Sequence, residues 1–378
     1  MSTRTPAEVF PPGEFIREEL EERGWTQSDL ARILGRPLPT VNQIITGKKS
    51  ITPATARELA AAFGTSPEFW LNLEAAYRLS IASDPDDGIR RRARLYDIAP
   101  VKDMERRHWI KRTSSAEELA EELKGFFGVE SLDQPPHMTL AARMRTARDE
   151  KVTAAQAAWC RRAARLASLV QVARFSGAKF ERGCAKLHSL VAFPEQVREV
   201  PRALAEMGIR FVVVEHLPKT KIDGAVLWIG RNAESPVIAL SMRYHRIDWF
   251  WHTLAHELSH VRHQDGYILD TDLFGAARGY REAPPEIERR ADSEAAEFLI
   301  RKPTLDSFVR RVRPYYSKDR IIQFANRIHV HPGIVAGQLQ HRGEVGYSAN
   351  REMLANVRDE LTQAALTDGW GRIVSVDV

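Results

Sequence analysis

Residues Trp249 to His263 read WFWHTLAHELSHVRH, and the way this run folds decides the architecture built around it. As a helix it sets Phe250, Leu254, Leu258 and Val261 on one side for packing, and His256 and His260, four residues apart, on the other. Such a pair is separated by only ~6 Å along the axis, so two imidazoles can meet a single ion. Glu257 stands beside them, where a carboxylate can take a proton from a water whose pKa a zinc ion lowers toward ~7. Two imidazoles fall short of the three protein ligands usual for catalytic zinc. Glu288, in the helical pattern IERRADSEAAEFLI, is the candidate third ligand; its plainer reading is a solvated carboxylate. Asp292, one turn further on, can hold a ligand histidine by its free ring N–H. Zn2+ is the expected cofactor, with Mn2+ as the alternative metal.

The other histidines read differently. His252 precedes His256 by a turn, but three imidazoles spread over ~12 Å of helix cannot all reach one tetrahedral ion. It is expected to be packed or hydrogen-bonded, as is His263. His329 and His331 stand just before a helix start at Pro332. The sequence has no GxSxG elbow, P-loop or GxGxxG, which leaves metal-assisted hydrolysis as the favoured reaction class.

Upstream of the signature, IRFVVVEHL, GAVLWIG and PVIALSMRY read as three short strands rich in Val and Ile. Downstream, PEIERRADSEAAEFLI, RIIQFANRI and PGIVAGQL read as helices. Residues 115–207 are helical in pattern and carry no chemical signature, which suits a scaffold or a sensor. The expected fold is therefore mostly α, with an α+β C-terminal domain holding a small sheet rather than a wound parallel one. A polar stretch, SDPDDGIRRR from Ser83, opens a linker expected over 81–114, its arginines solvated.

A second signature lies near the start. In TQSDLARILGRPLPTVNQIITG, Thr26 to Gly47, the positions of Leu30, Ala31, Leu34, Val41 and Ile44 suit two helices packed across a turn at Gly35, with Thr26 as N-cap and Gly47 as stop. A helix pair of this kind lays its second member in the major groove of DNA. Thr40, Gln43, Lys48 and Lys49 are the exposed polar candidates for contact, and Gln27 can bond a phosphate from the first helix.

The chain has 378 residues, enough for two or three domains, and a formal charge of +5. Residues 1–80 hold nine Lys and Arg against ten Asp and Glu, so DNA affinity has to come from local placement or from a homodimer rather than bulk charge. Two cysteines, Cys160 and Cys184, without a CxxC pair, suit a reducing cytoplasm, and no apolar run approaches the ~18 residues of a membrane span.

Residues 13–80 closely resemble the helix-turn-helix of HigA-like antitoxins in the XRE group of regulators. GAVLWIG, PVIALSMRY, DWFWHTLAHELSH and IERRADSEAAEFLI resemble the ImmA/IrrE family of metallopeptidases. With SKDRIIQFANRIHVHPGIVAGQLQ, residues 317–340, the layout is similar to fused regulator–peptidase proteins. The resemblance implies a helix-turn-helix domain over 10–80, a zincin-like domain over 208–302 and a helical tail over 303–378 packed on it. It implies a gluzincin-like site: His256 and His260 as ligands, Glu288 as the third and Glu257 as general base. It also implies partners: an operator in double-stranded DNA, and a protein substrate that is a repressor or a member of a toxin–antitoxin pair. The alternative is an antitoxin or repressor whose zinc is structural or sensory. Arg278 and Tyr280 are the candidates for stabilising the oxyanion. There are two departures from the family pattern: Leu38 and Pro39 stand where polar groups usually open the recognition helix, and Gln264 stands where a further histidine is common.

Overall fold

Runs such as RFVVV and GAVLWI leave no polar face, so a sheet made from them needs cover on both sides. The computed structural model describes residues 9–82, 87–136, 152–230, 234–271 and 285–375, together with 138, 144–146 and 273. Its strands are β1 (Met144–Thr146), β2 (Arg210–Val214), β3 (Ile222–Ile229), β4 (Ser235–Leu240), β5 (Tyr267–Thr271) and β6 (Leu366–Asp368). They form one sheet in the order β1-β5-β3-β4-β2-β6. β3 runs antiparallel to both β4 and β5, while β1 with β5, β4 with β2, and β2 with β6 are parallel.

Alternation along the strands sends side chains into two cores. Phe211, Val213, Val226, Ile238 and Leu240 pack with Phe250, Leu254 and Leu258 of the helix Ile247–His263 and with the helices that follow it. Val212, Val214, Ala225, Leu227, Val237 and Ala239 pack on the opposite side, chiefly against Trp159, Ala163 and Leu166 of the helix Ala154–Ser168. There the Trp159 indole N–H donates to the Val214 carbonyl at 2.9 Å.

Three expected boundaries give way to this packing. From Asp87 onward the expected linker is folded: the helices Asp87–Ile98 and Val101–Arg106 bury Leu95, Ile98, Val101 and Met104 in the second core. The arginine run disguised that helix, because its charges are solvated on one face while Leu95 and Ile98, three apart, reach inward. The region 115–207 is helical as expected, but it forms part of the sheet's cover and carries β1. The tail is helical through Arg358–Ala364 and then contributes β6. The chain divides instead into two compact units, Met1–Asp86 and Asp87–Val378.

In the first unit five helices, α1 (Pro12–Arg23), α2 (Gln27–Ile33), α3 (Leu38–Ile45), α4 (Pro53–Phe63) and α5 (Pro67–Ile81), enclose Ile16, Leu30, Val41, Ile44, Leu59 and Trp70. Burial of each of the larger aliphatic chains contributes about 1.5–3 kcal/mol. Gly35, at φ +62°, makes the turn between α2 and α3. Gly13 lets α1 approach α3: a Cβ there would fall 1.8 Å from the Ile45 carbonyl oxygen.

Candidate functional site

From Ile247 to Val261 the signature helix is buried at every position but His252. Its apolar side enters the core, and its other side carries the histidines. His256 Nε2 and His260 Nε2 lie 3.1 Å apart. Glu288 Oε2, from the helix Glu286–Leu299, lies 3.2 Å from the first and 3.8 Å from the second. A fourth donor, Asp270 Oδ2 of β5, lies 3.5 and 3.8 Å from the same nitrogens. Tetrahedral ligands at 2.0–2.2 Å from an ion stand about 3.3–3.6 Å from one another. The four groups therefore fit one divalent ion, and nitrogen with carboxylate oxygen is a donor set that suits zinc.

The outward nitrogens of both rings are held by carboxylates. His256 Nδ1 donates to Asp292 Oδ1 at 2.9 Å, and His260 Nδ1 donates to Asp265 Oδ2 at 2.9 Å. Each bond selects the tautomer whose Nε2 lone pair points inward. Glu288 and Asp292 are four apart on one helix, so a single face supplies both a ligand and a clamp. Asp265 arrives by another route: Gln264 closes the signature helix in the left-handed conformation, at φ 54°, and turns the next residue back toward His260. Arg290 in turn pairs with Asp265.

Glu257 is fully buried, and neither of its oxygens has a hydrogen-bond partner among the described residues. Burial, reinforced by the Asp270 carboxylate beside it, pushes its carboxyl well above the usual range. The same two causes push Glu288 up to about 7. Burial opposes a charge on His256, but Asp270, Asp292 and Glu288 outweigh it and raise the imidazole well above its ordinary value. For His260 burial prevails and the shift is downward. Space for the Glu257 carboxylate is made by Gly224, where a Cβ would fall 1.9 Å from Oε1.

The other candidate histidines stay outside the four-donor centre. His252 Nε2 faces Asp292 at 3.7 Å, His263 Nε2 bonds Glu294 at 2.8 Å, and His331 Nδ1 caps a helix by accepting from the Gly333 N–H at 3.0 Å. His329 sits in a turn at φ 55°. Arg278 and Tyr280 lie outside the described residues. Asp270 and Asp265 are the groups that sequence reading missed. The one available signal for Asp270 was an acid inside the apolar strand YILDT; Asp265 offered none before the helix end was placed.

In the first unit, Thr26 and Asp29 cap α2 reciprocally: Thr26 Oγ1 accepts from the Asp29 N–H at 3.2 Å and Asp29 Oδ2 accepts from the Thr26 N–H at 2.8 Å. Gln43, Lys48 and Lys49 are exposed, and Thr40 is half-buried. Gln27 Oε1 accepts from Asn42 Nδ2 at 3.4 Å, which adds Asn42, exposed on α3, to the polar surface. Leu38, at the start of α3, is 44% exposed.

A family model described as helix-turn-helix matches residues 16–70. An uncharacterized HTH-type transcriptional regulator of Escherichia coli K12, YddM, is 36% identical over 81 residues, which are 21% of this chain and 86% of that protein. The chain belongs to the helix-turn-helix transcriptional regulators. Within that group it is similar to antitoxin HigA-1 of Vibrio cholerae, 42% identical over 77 residues that span 20% of this chain and 70% of the antitoxin. A solved structure of Pseudomonas aeruginosa antitoxin HigA with the higBA promoter is 38% identical, covers 19% of this chain and 80% of its own, and has a TM-score of 0.19. No helix among the described residues is long and apolar enough to cross a membrane.

Proposed function

We propose that this protein is a DNA-binding transcriptional regulator, acting in the cytoplasm, that also carries a zinc-dependent endopeptidase directed at a protein partner, a repressor or a member of a toxin–antitoxin pair. One observation carries the enzymatic half: His256, His260 and Glu288 converge on one point, and next to them lies the buried carboxylate of Glu257, without a hydrogen-bond partner among the described residues. The mixed sheet packed against the signature helix supports a zincin-like domain of the ImmA/IrrE kind. His256, His260 and Glu288 would hold Zn2+, or Mn2+ in its place. The bound ion would supply Lewis acidity toward the scissile carbonyl and acidify an attacking water toward a pKa of ~7.

The chain's own groups do the rest. Glu257 takes the proton of the attacking water and passes it to the departing amine. Its position suits both tasks, because neither oxygen is held by a hydrogen bond among the described residues. Asp292 and Asp265 keep both imidazoles in the ligating tautomer. Glu257→Gln in the full chain is expected to retain zinc and to lose at least about 100-fold in cleavage of the protein encoded by the adjacent gene. Cleavage at the wild-type rate would reject the mechanism.

The regulatory half rests on α2, α3 and the family to which the chain belongs. Thr40, Gln43, Lys48 and Lys49 would face an operator in double-stranded DNA, with Gln27 toward a phosphate. Leu38 and Pro39 offer no hydrogen bonds to bases, so shape and thymine methyl contacts take a larger share of the reading. A homodimer would double the contacts of a module whose charge is near balance.

A second reading has one observation in its favour. Asp270 makes a fourth protein donor, and four protein donors are the habit of structural zinc. In that case the protein is a HigA-like antitoxin or repressor whose zinc holds the fold or senses a signal.

A further inference from the structure

We propose that Asp270 is a fourth, displaceable ligand that closes the metal centre in the resting protein, so that hydrolysis waits on its withdrawal. This rests on the zinc reading above and adds its regulation. Asp270 lies on β5 opposite Gly224, where the ladder between β3 and β5 shifts register. Its carboxylate is wholly buried, and neither oxygen has a hydrogen-bond partner among the described residues. A buried carboxylate is costly unless a cation compensates it.

The geometry supplies the place for that cation. Asp270 Oδ2 stands 3.5 and 3.8 Å from the two inward nitrogens, nearly matching the 3.2 and 3.8 Å of Glu288 Oε2. Two carboxylates balance the charge of a divalent ion, and two imidazoles complete a tetrahedron. A centre of that kind leaves no position for water.

Glu257 argues against a permanently closed centre. It sits buried beside Asp270, without a hydrogen-bond partner among the described residues, in a space kept open by the missing side chain of Gly224. A purely structural ion needs no such base, and a permanently open catalytic ion needs no fourth protein ligand. Both are present, so Asp270 and the attacking water compete for one position within reach of Glu257. The other three ligands are carried by two packed helices, Ile247–His263 and Glu286–Leu299. Asp270 stands one residue from the end of its strand. A movement of that strand end removes one ligand and leaves three in place, breaking no covalent bond.

The test uses the full-length wild type, Asp270→Ala and the isosteric Asp270→Asn, each loaded with Co2+ in place of zinc and titrated with azide while the visible spectrum is followed. Zinc retention is measured in parallel by chelator competition. Azide is expected to leave the wild-type spectrum unchanged at concentrations that shift Asp270→Ala, and both variants are expected to hold zinc roughly 10- to 100-fold less tightly. The Asp270→Asn protein keeps the comparison valid should Asp270→Ala fail to fold. Equal response to azide in wild type and variant, or equal zinc retention, would overturn the closure while leaving the metal centre standing. A wild type that takes up neither cobalt nor zinc would overturn the centre and the closure together.

Discussion

Asp265 and Asp292 touch no substrate in the proposed reaction, yet they decide how the two imidazoles present themselves. Each accepts the outward ring N–H at 2.9 Å. Replacing either carboxylate by an amide keeps the volume and removes the charge that polarises the ring. Asp292→Asn and Asp265→Asn are each expected to weaken zinc binding by about 10- to 100-fold while leaving the helical circular-dichroism spectrum unchanged. Competition with a chromogenic chelator reads the first quantity, and an unaltered affinity in both variants would remove these residues from the account. Asp292 was legible from its one-turn spacing to Glu288. Asp265 was not, because its reach depends on a left-handed residue at Gln264, a conformation that nothing in RHQDG demands of glutamine.

At the scale of the element, α2 shows how local chemistry is written in the sequence. Its reciprocal cap is contained in the four residues Thr26 to Asp29. Thr26→Ala is expected to destabilise the first unit by about 1 kcal/mol at neutral pH. Hydrogen bonds from the Thr26 side chain and backbone hold the Asp29 carboxyl below its ordinary value. A depressed folded-state pKa means that the stabilisation is fully present above the unfolded-state value of about 3.9 and is lost as the pH falls through the folded one. Thermal melts of wild type and Asp29→Asn should therefore differ at pH 7 and converge in acid. A difference that persists unchanged at low pH would show that the cap acts through something other than the charge. The helix Asp87–Ile98 makes the opposite point. Its charged face outweighs its two buried residues in any local count, so it reads as a linker until the core that receives Leu95 and Ile98 is known.

For the whole molecule, two compact units, each with core packing of its own, imply two cooperative units. Heating is expected to give two calorimetric transitions. The larger unit has a buried staple: Arg162 pairs with Asp368, the last residue of β6, and the Trp109 indole N–H donates to the same carboxylate at 3.2 Å. Asp368→Ala strands the Arg162 charge, so it should lower the stability of that unit by roughly 3–5 kcal/mol and leave the other transition where it was. A single transition that shifts as one would contradict the division.

Much of this protein was determined by spacing along the chain. The i, i+4 histidines with Glu257 between them, the two-helix pattern over Thr26 to Gly47 and the three central strands each follow from periods of 3.6 or 2, and periods are local properties. What tertiary structure alone decided is what lies at long range: the strands β1, β5 and β6, the helices hidden in the expected linker, and the arrival of Asp270 opposite two imidazoles. Strands of three to five residues carry too little pattern to declare themselves, and they become strands only because a neighbouring edge offers them hydrogen bonds. A carboxylate on such a strand becomes a ligand only when folding removes its water and places positive charge within reach, and no stretch of sequence contains both events.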